Sequence, residues 1–148
     1  MIEWKIILDN RGLSMSNCKF CQIVNREIPS WIIYENEKVI CFLPEKLEVY
    51  GHTIVAPKQH YVDLYDVPDG ILCELIKVSK KLTMSYKEKI NATGMNVMLA
   101  SGVDAQQSVF HFHIHLLPRF KDDKLNTWPT LPKVMIDKDE VLQKLKLD

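Results

Sequence analysis

Apolar positions along this chain recur at two different spacings. Trp31–Tyr34 and Val39–Leu43 are short runs rich in β-branched and aromatic residues, and the polar segment Glu35–Lys38 between them predicts a hairpin. A third strand is predicted over His52–Ala56, closed by Pro57. From Asp69 to about Lys89 the spacing changes: Ile71, Leu72, Leu75, Ile76, Val78, Leu82 and Tyr86 recur mostly at three- and four-residue steps. That is the period of an amphipathic helix, with Asp69 as its cap and Asn91 and Gly94 at its end. Two further strands are predicted at Met95–Ala100 and Val109–Leu117, the second stopped by Pro118. A short helix starts after Asn17, its expected N-cap, with Pro29 beyond its end, and a last helix is predicted at Asp137–Leu147. Five strands, one long helix, a short N-terminal helix and antiparallel-type connections make an α+β domain.

Composition narrows the field. A length of 148 residues suits one domain, and 47% apolar residues suit a globular one. The second methionine, Met15, precedes the organised sequence, so residues 1–16 read as an N-terminal extension, of which Met1–Ser14 is expected to be dispensable, 17–120 as the domain and 121–148 as a tail. Nineteen basic residues balance nineteen acidic ones. That balance argues against a large nucleic-acid-binding face, which needs clustered Lys and Arg. No run reaches the roughly 20 apolar residues of a membrane span, and no export signal is recognisable. The expected compartment is the cytoplasm, where Cys18, Cys21, Cys41 and Cys73 are thiols or ligands rather than disulfides. Cys41 and Cys73 are expected to be buried small apolar residues.

The chemistry concentrates in His111-Phe112-His113-Ile114-His115-Leu116-Leu117. On a strand, side chains alternate, so the three imidazoles share one face and Phe112, Ile114 and Leu116 share the other. Two readings compete for the histidine face. One is a metal site, but His111 and His115 lie about 13 Å apart along a strand, too far to converge on one ion. The other is anion chemistry, in which imidazoles surround a phosphate and one of them attacks it. Cys18-Lys19-Phe20-Cys21 is a separate Cys-x-x-Cys pair. A redox pair is expected in a βαβ setting, and no strand precedes Cys18. A tetrahedral metal site needs two further ligands, and two structural thiols are the remaining alternative.

The histidine run, with Gln107-Ser108-Val109-Phe110 before it and Pro118-Arg119 after it, resembles the signature of the histidine triad (HIT) family. Phe20, Ile23-Val24, Ile28-Pro29-Ser30, Gly51–Val55 and Pro57-Lys58-Gln59-His60 are similar to that family in order and spacing, from about Asn17 to Arg119. The resemblance implies a single HIT-like domain that hydrolyses nucleotide phosphorus bonds, as a nucleoside phosphoramidase or nucleotidyl hydrolase. His113 would be the nucleophile forming a nucleotidyl-histidine intermediate, with its other ring nitrogen donating to a backbone carbonyl. His115 would stabilise phosphate charge, and His52 would support the same site. Ser108 and the backbone around Gln107 would contact phosphate oxygens and the leaving group, while Phe20, Ile23 and Phe42 would enclose a purine base. The zinc-containing bacterial branch implies a structural zinc on Cys18, Cys21, His60 and His111. The family also implies a homodimer joined through the long helix and a sheet edge.

Three positions depart from the family pattern. Pro44 stands where a ribose-binding Asp is usual, with Glu45 next to it as a substitute. Ala100-Ser101 replaces an Asn, and Gln106 replaces a Gly ahead of Gln107-Ser108. Sugar recognition is therefore expected to be relaxed. Two alternatives retain the family: a dinucleoside polyphosphate hydrolase, which Pro118-Arg119 also resembles, and a non-catalytic nucleotide-binding regulatory module. A zinc DNA-binding module lies outside it and is opposed by the charge balance and by ligand spacing too wide for a finger.

Overall fold

The structure, a computed structural model, describes residues 17–128 and 131–147; the expected N-terminal extension lies outside the described residues. The chain runs through α1 (Lys19–Val24), β1 (Trp31–Glu35), β2 (Val39–Leu43), β3 (Thr53–Pro57), α2 (Asp69–Lys89), β4 (Gly94–Met98), β5 (Ile114–Arg119) and α3 (Lys138–Leu145). The five strands form one antiparallel sheet in the order β1-β2-β3-β5-β4. This is the expected α+β fold.

Local chemistry explains the elements. The predicted hairpin forms because the Asn36 side chain accepts from the backbone N–H groups of Lys38 and Val39, at 2.9 and 2.8 Å, an Asx-type turn. Alternation then sorts β2 and β3 between two cores. Val39, Cys41 and Val55 join Leu75, Val78, Leu82 and Tyr86 of α2, together with Phe112, Ile114 and Leu116. Ile40, Phe42, Ile54 and Ala56 point the other way and pack with Phe20 and Ile23 of α1. The sheet centre is therefore buried on both faces. The α1 side continues into the histidine site.

Several boundaries differ from the sequence reading. Only His115 lies within β5; His111 and His113 precede it, where Phe112 N–H bonds the Tyr61 carbonyl at 2.6 Å instead of a neighbouring strand. The alternation of side chains survives without the ladder. Pro118 does not stop the strand but sits in it opposite Met95. The pairing of β3 with β5 ends at Thr53–Leu116, so beyond that point β5 has one neighbour and tolerates a missing donor. Asn17 is not the N-cap of α1; that position belongs to Cys18, with no side-chain cap bond. Pro68 is likewise the N-cap of α2, and Asp69 lies in its first turn, where a carboxylate suits the helix dipole. Asn91 adopts a positive φ of 56°, the conformation expected of a residue ending a helix. Cys41 is buried as expected, but Cys73 is exposed on α2, because it falls on the helix face opposite Leu75 and Val78.

The start of the tail is fastened to the sheet. The Arg119 guanidinium bonds both carboxylate oxygens of Asp123 at 2.7 Å and Asn96 Oδ1 at 2.7 Å, and also reaches the Leu125 carbonyl. Helix α3, capped by the Asp137 side chain, buries none of its residues. Among the described residues no helix is long and apolar enough to cross a membrane.

Leu75 is fully buried at the centre of the α2 core. Leu75→Ala should cost about 2–5 kcal/mol of stability, read from the shift of the urea midpoint. A shift equivalent to less than about 1 kcal/mol would place the α2 core outside the cooperative fold.

Candidate functional site

Cys18 and Cys21 bracket the first turn of α1, His60 follows β3, and His111 lies just ahead of β5. Their ligand atoms all fall within 4.8 Å of one another. The sulfur of Cys18 is 3.4 Å from His111 Nδ1; that of Cys21 is 3.3 Å from His60 Nδ1 and 3.5 Å from His111 Nδ1. A tetrahedral ion with metal–sulfur bonds of about 2.3 Å and metal–nitrogen bonds of about 2.0–2.1 Å has sulfur–nitrogen edges of roughly 3.5 Å. The four residues fit such a site. His111 is also turned correctly for it, since its Nε2 donates to the Pro57 carbonyl at 2.8 Å and leaves the Nδ1 lone pair facing the sulfurs. The Cys21 thiol, then His111 and His60, hold the Cys18 thiol far below its ordinary range. Cys21 is pushed up, first by its bond to Cys18 and then by burial.

The other histidines form a second group. His113 Nδ1 donates to the carbonyl of His111 at 2.7 Å, which leaves the lone pair on Nε2. Its ring lies 4.9 Å from that of His115, at a steep angle. Tautomers along the rest of the group follow from one backbone bond. The N–H of Glu48 donates to His52 Nδ1 at 3.2 Å, so the neutral His52 ring carries its proton on Nε2. That nitrogen faces His115 Nδ1 at 2.9 Å and donates to it, so His115 keeps its proton on Nε2. One ring thus offers a lone pair and its neighbour a donor. Gly51, with φ 81°, makes the turn that delivers His52. A Cβ there would come within 3.1 Å of both Ile90 and Pro118.

Burial keeps this group uncharged. It pushes His113 below its ordinary value; the His111 carbonyl opposes that and the His111 ring adds to it. Burial also lowers His52, with His113 adding to it and Glu48 opposing. For His115, burial and then His113 and His52 push the value down to about 4. All three are neutral at pH 7.

The remaining sequence-predicted residues are placed unevenly. Phe20, Ile23 and Phe42 are core residues of the α1 side, and Phe20 meets Phe42 edge-on at 5.1 Å. Phe20 reaches the histidines, lying 5.1 Å from the His113 ring and 5.7 Å from that of His111. Gln107 is buried, and its side chain bonds Val62, Val109 and Gly102 and so holds a loop. Gln106 adopts φ 66° and keeps the left-handed turn that a glycine makes easily. Ser108 is exposed and lines a cavity of about 260 Å³ with Asn17, Cys18, Lys19, His60 and Val109. Glu45 is exposed, and Lys19 holds it at 2.9 Å and lowers its carboxyl below the usual range. Sequence reasoning missed Lys19, the Glu48 N–H and the Pro57 carbonyl. Two of the three are backbone groups, which carry no side-chain signal.

The HIT domain family model matches residues 25–122. An uncharacterized HIT-like protein of Methanocaldococcus jannaschii is 39% identical over 130 residues, covering 87% of this chain and 98% of its own. The adenosine 5'-monophosphoramidase of Candida albicans is 37% identical over 123 residues, covering 78% and 80%. A Zn-bound histidine triad family protein from Mycobacterium smegmatis superposes with a TM-score of 0.73 at 36% identity, covering 76% of this chain and 81% of that one. On this match of sequence and fold, the chain belongs to the HIT (histidine triad) family.

Proposed function

We propose that this protein is a nucleotide hydrolase that cleaves the bond between the α-phosphorus of a purine nucleotide and an amine leaving group. His113 Nε2 attacks phosphorus, the bond to the leaving group breaks, and the amine departs with a proton taken from solvent, which the water of the next step returns. Water then attacks the nucleotidyl-imidazole, releasing the nucleoside monophosphate and restoring the ring. The observation that carries this reading is the pairing of a free Nε2 lone pair on His113 with an Nε2–H on His115, both in neutral, buried rings. A neutral imidazole is the nucleophilic form, and a fixed donor beside it stabilises the charge that builds on the phosphate oxygens. His52 acts through His115 by fixing its proton. The Candida relative, a phosphoramidase by name, supports the choice of reaction.

The cluster of Cys18, Cys21, His60 and His111 takes zinc in this reading, in keeping with the Zn-bound Mycobacterium relative. Four protein ligands leave no open position for water, so the ion's contribution is a cross-link. A homodimer fits the surface: β4 is a sheet edge carrying exposed Val97 and Met98, and α2 exposes Ile76 and Met84. Free cysteines suit a reducing compartment such as the cytoplasm.

His113→Ala should abolish turnover of an adenosine phosphoramidate without unfolding the protein. His115→Ala should lose roughly 10²–10³-fold, the scale of a lost oxyanion donor. Wild-type turnover by His113→Ala would rule out the covalent step. Purified protein should carry about one zinc per protomer, and chelation should lower its melting temperature, because an ion bound only to the folded state stabilises it. Elemental analysis of a preparation never exposed to chelator, finding no metal, would contradict this.

Pro44 brings no carboxylate to the sugar, and the adjacent Glu45 is engaged by Lys19. Wild type should discriminate poorly between ribose and deoxyribose substrates. Pro44→Asp should raise the ribo/deoxyribo ratio of kcat/KM about tenfold, equivalent to roughly 1.4 kcal/mol. A strong ribose preference in wild type that Glu45→Ala erases would assign the role to Glu45 instead.

A further inference from the structure

His111 belongs to both groups at once. Its imidazole is a ligand of the cysteine cluster through Nδ1, and its carbonyl is the acceptor that fixes His113 Nδ1 at 2.7 Å. Its Nε2 is tied to Pro57, and the side chain is fully buried. A residue held at three points has no freedom to move one of them alone. A second contact runs in parallel. Phe20 sits between the two cysteines in the chain, and its ring lies edge-on to His113 at 5.1 Å. Helix α1 is six residues long and has no side-chain cap, so its place against the histidines depends on Cys18, Cys21 and the apolar packing of Phe20 and Ile23.

We infer that His111 is a positioning residue for the nucleophile: occupancy of the Cys18–Cys21–His60–His111 cluster by a divalent cation sets the orientation of His113 through the His111 main chain and the Phe20 ring. This inference rests on the reading of His113 as nucleophile, and goes beyond it by making the rate of attack depend on a cluster that takes no part in the chemistry. A cross-link that served stability alone would be indifferent to which ligand closes it. A cross-link that aims His113 is not, because only His111 carries the carbonyl that holds the nucleophile.

The test compares two variants of the full chain, His60→Cys and His111→Cys, each of which leaves a three-cysteine, one-histidine zinc site. Both should retain about one zinc by elemental analysis. A thiolate reaches less far from the backbone than imidazole Nδ1, so His111→Cys must draw its main chain toward the ion. Its kcat on an adenosine phosphoramidate should fall at least about tenfold further than that of His60→Cys, with KM of the two within about twofold. A readout without substrate accompanies it: the ¹⁵N-edited signal of the His113 Nδ1 proton, protected by its bond to the His111 carbonyl. That signal should be sharp in zinc-loaded wild type and in His60→Cys. It should be broadened or lost in His111→Cys and in wild type stripped by chelator at a temperature where circular dichroism shows it folded. Equal kcat losses in the two variants, with the proton signal unchanged across all four samples, would overturn the inference. If either variant loses zinc or fold, the stripped and reloaded wild type decides. A proton signal that does not respond to zinc overturns the inference there as well. Failure of the nucleophile reading is distinguishable, because it appears as activity in His113→Ala and leaves the proton signal untouched.

Discussion

The hydrogen bond from His113 Nδ1 to the carbonyl of His111 is the contact on which the site turns. An imidazole buried in an apolar setting must be neutral, and a neutral imidazole has two tautomers with opposite uses. A carbonyl accepts and never donates, so it selects one of them. The bond spans two residues of the same chain, which makes it insensitive to movements of distant elements. What remains adjustable is the placement of residue 111 itself, and that is fixed by the cysteine cluster and by Pro57.

The same logic orders His52 and His115. Among the described residues no carboxylate is hydrogen-bonded to either ring to choose its tautomer, the usual device for orienting a histidine. The choice is made instead by the Glu48 N–H, the mirror image of the His111 carbonyl: a group that only donates. One backbone acceptor and one backbone donor thus set opposite proton positions on two neighbouring rings. The result is a free lone pair beside a donor with no buried charge, which the low dielectric of the site would penalise.

Much of this was legible in the sequence, for identifiable reasons. The alternation of Phe112, Ile114 and Leu116 with three histidines requires only an extended backbone, so it holds although His111 and His113 lie outside β5. The periodicity of α2 and the hairpin at Asn36 rest on local chemistry and appear as expected. Other features depend on which strand lies alongside. Pro118 stays in β5 because β3 begins at Thr53, opposite Leu116, and nothing near Pro118 in the chain records where a strand some 60 residues earlier starts. The Gln107 side chain serves Val62 and Gly102 across a loop contact that only folding creates. Lys19 and Glu45 are 26 positions apart and became partners through the packing of α1 beside β2.

The two histidine groups lie close together, and their charges explain how they coexist. A divalent ion held by two neutral imidazoles and two thiolates has no net charge, whereas one held by histidines alone would place two positive charges beside His113. Such a charge would draw electron density from the nucleophile's surroundings and favour its unprotonated form, but it would also compete with His115 for the phosphate. In the proposed zinc site the cysteine pair would remove that competition. An ion held there would be mechanically coupled to His111 and electrostatically silent toward the substrate. On the proposed reading, the first histidine of the triad would serve a metal cluster while the second and third, two and four residues later, would serve an anion.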